Sequence, residues 1–124
     1  MTYILDLGYD SVPLSMNSRM HWSKSSRITK QIRTTAWLLA KQSTIPTGCA
    51  HLTVGLHYRP KDRRRRDADN LLPVLKAACD GLVDAGLVPD DTPDLMTKLM
   101  PVIHAVEKGR GGALWLTIEI GETQ

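Results

Sequence analysis

The sequence predicts an α+β domain with elements in the order β-α-β-α-β-β, a small mixed sheet with two main helices packed on it. Three observations lead there. Short runs in which apolar residues alternate recur at 3–7, 51–58 and 113–120, the period of a half-buried strand. Two longer stretches, 26–42 and one ending near Ala85, repeat apolar residues at helical spacing. The chain has 124 residues. That is the size of a single domain spanning residues 1–124, with core enough to fold without a metal or a disulfide staple.

The first strand, 3–7, puts Tyr3, Leu5 and Leu7 on one face. Residues 8–25 form a long connection holding Gly8, Pro13, Asn17 and several serines, and loops of that length are often functional. Arg19, His21, Trp22 and Lys24 lie in it. Basic residues interleaved with an aromatic suit contact with nucleic acid; a Trp22 packed on the core is the plain alternative. In the first helix, 26–42, Ile28, Ile32, Ala36 and Leu39 form one stripe, and Arg27, Lys30, Arg33 and Lys41 decorate the rest. Pro46, Thr47 and Gly48 break the chain before the second strand, 51–58. There Leu52, Val54 and Leu56 share one side, and His51, Thr53, Gly55 and His57 the other.

The second helix runs to about Ala85, with Gly86 placed to cap it. Pro73 lacks an N–H and belongs in the first turn. Residues 87–93 form a loop containing Asp90 and Asp91. Residues 95–106 and 113–120 read as the last two strands. Lys108-Gly109-Arg110-Gly111-Gly112 would join them as a hairpin turn.

Charge is unevenly spread. Residues 1–66 carry twelve Lys/Arg and three Asp/Glu, a local +9, while residues 67–124 carry four and ten, a local −6. A basic half points to a polyanionic partner such as nucleic acid, or else to a solvated surface. The two cysteines, Cys49 and Cys79, have no framework spacing and read as reduced thiols of a cytoplasmic protein. The N-terminal segment does not read as a signal peptide. No apolar run approaches the roughly 20 residues of a membrane helix.

The densest chemistry lies at Arg63-Arg64-Arg65-Arg66-Asp67-Ala68-Asp69-Asn70. Four successive arginines repel one another unless an anion or the neighbouring acids relieve them. Asp67 and Asp69 are two apart, so in an extended segment they point the same way. They could then share a hard cation such as Mg²⁺, which favours oxygen ligands. Either could instead cap the following helix. At about 100° per residue, Asp69, Lys76 and Asp80 fall within roughly 40° of one another on that helix. Leu71, Leu72, Leu75, Ala78, Cys79, Leu82 and Val83 form the adjoining core face. Lys76 could bind a phosphate oxygen or pair with Asp80 one turn on. Asp90 or Asp91 could supply a third metal ligand, or both could be solvated turn residues.

Other groupings carry less. Cys49, His51 and His57 match no common zinc spacing. The glycine-rich 108–112 stretch lacks the order of a phosphate loop.

The run from Asp62 through Asp69-Asn70-Leu71, then Leu75-Lys76-Ala77-Ala78-Cys79-Asp80-Gly81-Leu82, Ala85-Gly86-Leu87 and Asp90-Asp91, resembles the RusA-type Holliday junction resolvases. These are small endodeoxyribonucleases associated with phages and prophages. Pro13-Leu14-Ser15-Met16-Asn17 and the 108–112 stretch also look like the family, so the likeness covers nearly the whole chain. The resemblance implies a RusA-like fold and a Mg²⁺-dependent homodimer, with Mn²⁺ as a substitute metal. Such a protein acts in the cytoplasm of a bacterial or phage-infected cell, cutting four-way or otherwise branched DNA by paired nicks. Carried over by position, Asp67, Asp69 and Asp91 match the metal-binding catalytic acids, Lys76 the functional lysine and Asp90 an accessory acid. Arg63, Arg64, Arg65 and Arg66, with Lys76, Arg19 and Lys24, would contact DNA. The family's lysine follows the D-x-D-N motif about three residues sooner. Three residues turn a helix by about 300° and advance it roughly 4.5 Å, so Lys76 keeps a similar face one turn further along.

Overall fold

The computed structural model describes residues 1–16 and 19–121. Its elements are β1 (Thr2–Asp6), α1 (Trp22–Gln42), β2 (Leu52–Arg59), a 3-10 turn (Ala68–Leu71), α2 (Leu72–Asp84), β3 (Met96–Lys98), β4 (Val102–Ile103) and β5 (Ala113–Ile120). The α+β class, the small mixed sheet and the two helices are as the sequence predicts. Asn17, which falls within the long first connection, lies outside the described residues.

The sheet order is β1-β5-β2-β3, with β4 also paired to β2. β5 runs antiparallel to both β1 and β2, whereas β3 and β4 run parallel to β2. Alternation sets which side chains enter the core. Leu5, Leu52, Val54, Leu56, Leu114, Leu116 and Ile118 are buried on one sheet face, and they form a single cluster with Ile32, Ala36, Val74, Leu75, Ala78, Cys79 and Leu82 of the helices. The opposite face carries Ile4, His57, Trp115 and Thr117, with His57 opposite Trp115 in register.

One expectation about the sheet is corrected. Residues 95–106 do not form one strand. Residues 99–101 interrupt it, leaving β3 and β4 as short pieces on the same edge of β2. Pro101 has no N–H for a ladder bond, which explains the break. Both pieces remain tied to β2 through Leu99 N–H to Val54 O (2.9 Å) and His104 N–H to Tyr58 O (2.8 Å). The 108–112 stretch is therefore not a hairpin between paired strands. It carries the chain from β4 past β2 to β5, which inserts between β2 and β1.

α1 begins at Trp22, four residues before the predicted start. His21 explains it: its ring Nδ1 accepts from the Ser23 N–H at 3.2 Å, the task usually given to Ser, Thr, Asp or Asn. Pro73 sits in the first turn of α2. Gly86, at φ +82°, ends the helix. The Gly86 N–H donates to Val83 O at 2.9 Å and Leu87 N–H to Leu82 O at 3.3 Å, the paired bonds of a glycine-terminated helix.

Candidate functional site

The chain leaves β2 at Arg59 and turns into the arginine run. Asp62 organises that turn. Its carboxylate accepts from Arg66 Nη2 at 2.6 Å and from the Arg64 N–H at 3.2 Å, with Arg64 Nε at 3.3 Å. The Arg66 hydrogen bond, then the Arg64 backbone bond, hold the Asp62 carboxyl below its ordinary range. Arg66 also donates from Nη1 to the carbonyls of Asp62 and Arg64, each at 2.8 Å. Its guanidinium lies 5.8 Å over the Tyr58 ring. With its side chain only 21% exposed, Arg66 braces the loop. Arg63, Arg64 and Arg65 are exposed, as are Arg19 and Lys24. The repulsion noted in the sequence is thus relieved by one preceding acid and by turning one arginine inward.

Asp67 follows in extended conformation, φ −108° and ψ 133°, and leads the 3-10 turn that carries Asp69. Asp67 occupies the capping position without capping: its side chain makes no bond to the turn, and the Asn70 N–H reaches its backbone carbonyl instead, at 3.1 Å. α2 likewise starts without a side-chain cap. Both carboxylates are exposed, and neither has an ion-pair or hydrogen-bond partner among the described residues. The capping alternative is therefore not realised. Asp67 lines a cleft of about 280 Å³ together with Ser15, Tyr58, Arg65, Arg66 and Asn70. The Met16 N–H donates to Asn70 O at 3.4 Å, laying the first connection against this turn.

Asp91 sits in a different setting. Its Oδ2 accepts from Lys76 Nζ of α2 at 2.7 Å and from Lys98 Nζ of β3 at 2.6 Å. Lys76 also reaches Asp80 Oδ1 at 2.9 Å, the one-turn pair its spacing allows. The Lys76 bond, then the Lys98 bond, hold the Asp91 carboxyl far below the usual carboxylate range, and bonds to Asp91 and Asp80 raise Lys76 above its own. Asp90 braces the loop: its Oδ1 accepts from the Asp91 N–H at 2.8 Å. Beneath this cluster, burial pushes the Cys79 thiol up to about 12.

Among the described residues, no three His, Cys, Asp or Glu side chains converge as a metal cage. The expected set of Asp67, Asp69 and Asp91 is thus not gathered at one point: Asp67 faces the Tyr58 cleft, and Asp91 faces a second cleft with Thr97 and Lys98. Their electrostatic settings also differ. Two ammonium groups already satisfy Asp91, whereas Asp67 and Asp69 keep their oxygens open to solvent. Those two carboxylates have the donor chemistry of a hard-cation site.

No protein-family model matches the chain. It is similar to an uncharacterized protein of Xylella fastidiosa (strain Temecula1 / ATCC 700964), 33% identical over 86 residues. The match takes in 65% of this chain and 56% of that protein, so the chain spans little more than half of that relative.

Sequence reasoning missed two residues. Lys98 is a lone lysine in a short strand, and no local pattern marks it. Tyr58 supports Arg66 from the end of β2, and its place just before the basic run was the available signal. The Cys49–His51–His57 grouping dissolves. His51 contacts Asp94 O and Thr97 Oγ1, while His57 contacts His104 and Thr117.

Proposed function

We propose that this chain is a Mg²⁺-dependent, RusA-like endodeoxyribonuclease that resolves four-way DNA junctions by paired nicks. One observation carries the reading: Asp67 and Asp69, at the start of the 3-10 turn, neither cap it nor pair with any described residue, and they follow exposed Arg63, Arg64 and Arg65 within a few positions. Unrelieved carboxylates beside a phosphate-binding run make little sense as structural caps. They suit a place where a cation and a phosphate meet.

In this reading Asp67 and Asp69 would hold Mg²⁺, or Mn²⁺ in its place, and Asp91 would join them as third oxygen donor only by giving up its bonds to Lys76 and Lys98. What a metal held there would supply is an activated water and a shield for the charge of the scissile phosphate. Arg63, Arg64 and Arg65, with Arg19 and Lys24, bind flanking phosphates, which makes affinity fall steeply with salt. Lys76 stabilises negative charge on the phosphate, and Asp90 keeps the Asp91 loop in place. A homodimer would present two such sites to two strands. The same reading implies a cytoplasmic setting. Among the described residues no helix is long and apolar enough to cross a membrane.

The test is cleavage of a labelled immobile four-way junction with and without Mg²⁺, beside fork, flap and duplex substrates and an Asp69→Asn variant. Symmetric metal-dependent cuts lost in Asp69→Asn support the reading, and cuts on forks and flaps as well would broaden it to a branched-DNA nuclease. A second reading, a non-catalytic branched-DNA-binding module, is favoured by the engagement of Asp91 with two lysines. Tight junction binding with no cut under either metal would select it.

A further inference from the structure

Trp22 is the first residue of α1, and 76% of it is exposed. Tryptophan is on average strongly buried, so an indole standing in solvent needs a reason. It does not pack on the core, which settles the alternative left open by the sequence. Its position is fixed from the backbone side. Ser25 N–H donates to His21 O at 3.0 Å, the His21 ring receives the Ser23 N–H, and that ring lies 5.7 Å from the indole. The indole is thus an exposed aromatic on a rigid mount.

Its stretch of chain is basic. Arg19, Lys24 and Arg27, all exposed, lie within five residues of it in sequence, and the first turn of α1 contains no acid. The segment just before it is docked beside the candidate site: Ser15 lines the Asp67 cleft and Met16 bonds to Asn70. Trp22 follows Met16 by six residue steps, a chain reach of at most about 20 Å. A partner that answers a flat π surface in a basic, exposed segment is a polyanion carrying exposed π faces of its own. Unpaired nucleobases fit this, whereas paired bases hide their faces in the stack. A lipid surface fits less well. It would need the apolar side of α1, and Ile32, Ala36 and Ala40 on that side are buried against the rest of the molecule.

We infer that Trp22 is a stacking platform for an unpaired base, used to distinguish branched or single-stranded DNA from plain duplex. The inference rests on the branched-DNA reading above. Arg19 and Lys24 hold the backbone of the unpaired strand while the indole takes one base.

The test compares wild type, Trp22→Ala and Trp22→Phe for binding to a labelled oligo(dT), a four-way junction and a blunt duplex, in Ca²⁺ to prevent cutting. Base–aromatic stacking corresponds to a loss of roughly tenfold or more on truncation to Ala. Trp22→Ala should weaken oligo(dT) and junction binding by that factor and leave duplex binding unchanged. Trp22→Phe should keep most of the affinity, and indole emission should be quenched by oligo(dT) in wild type. Equal weakening on all three DNAs, or none on any, overturns the platform while leaving the branched-DNA reading intact. Wild type that binds no DNA sinks both. Indole blue-shift on phosphatidylserine vesicles without any quenching by oligo(dT) would assign the surface to lipid instead.

Discussion

Lys98 Nζ lies 2.6 Å from Asp91 Oδ2, the same oxygen that accepts from Lys76. A strand and a helix thereby converge on one loop carboxylate, which is 19% exposed against 29% for Lys98 and 58% for Lys76. Lys98 is the more sheltered of the two lysines, while the Lys76 bond is the larger cause of the lowered Asp91 carboxyl.

This contact predicts an acid limb in the stability profile. The Asp91 carboxyl is held below its ordinary value of 3.8 in the folded protein. Its contribution is therefore fully present above that value and is lost as pH falls from there toward the lower folded value. In metal-free buffer, Asp91→Asn should flatten the fall in stability below pH 3.8. Lys98→Met should cost roughly 1 kcal/mol at neutral pH and move the Asp91 titration, followed by carboxyl NMR, back toward ordinary values. An unmoved titration would mean that Lys76 alone holds the group.

The uncapped state of Asp67 and Asp69 gives a second prediction. A working N-cap costs about 1 kcal/mol when removed. Asp67→Ala and Asp69→Ala should instead change stability by less than about 0.5 kcal/mol in urea unfolding. Under the nuclease reading, the same variants lose cleavage and lose any rise in Tm that Mg²⁺ gives wild type. A stability loss of cap size would return these acids to a structural role.

Much of the frame was legible because it rests on local pattern. The alternation of Leu52, Val54 and Leu56, or of Leu114, Leu116 and Ile118, reports which face is buried whatever the neighbouring strand. Ile32 and Ala36 do the same for α1. What the pattern does not carry is partnership. Nothing in residues 113–120 says that β5 enters between β1 and β2, and Pro101 in an otherwise strand-like run was the one mark of the break between β3 and β4. The site divides the same way. The clustering of arginines and acids was visible at once. Two facts needed three dimensions: Asp62 neutralises part of the run, and Lys98 shares Asp91. Each depends on where a long side chain ends.

The open sheet face holds a histidine pair. His57 Nδ1 meets His104 Nε2 at 2.9 Å, and His57 Nε2 meets Thr117 Oγ1 at 3.0 Å. The His57 ring stacks on Trp115, with centroids 5.4 Å apart and planes 8° from parallel. Burial first, and His104 second, push His57 below its ordinary value of 6.5. The unfolded chain therefore binds the proton more readily, so this stabilisation is complete above 6.5 and is lost as pH falls through the folded value. His104→Gln should raise the His57 titration only in part, because burial is the larger cause. Complete return to 6.5 in imidazole NMR would make His104 the dominant one.

The helix pair predicts the effect of one methyl group. A Cβ on Gly81 would run into the Arg33 carbonyl and stand 2.9 Å from Ala36 Cβ. α1 and α2 therefore approach as closely as they do because α2 has no side chain there. A backbone carbonyl cannot rotate away as a side-chain tip can, so the helices must part. Alanine is the better helix former by about 1 kcal/mol, but overpacking typically costs 1–3 kcal/mol. Moving α1 away would also strain the Arg33–Asp84 pair, whose two hydrogen bonds measure 2.5 and 2.8 Å. Gly81→Ala should lower stability by about 1 kcal/mol, seen as a lower urea midpoint at unchanged m. Lys76 sits on the same helix, five residues before Gly81. A displacement of α2 should therefore weaken the Lys76–Asp91 bond and raise the Asp91 titration in the same variant. A Gly81→Ala protein as stable as wild type, with Asp91 unmoved, would show that the two helices ease apart without disturbing the site.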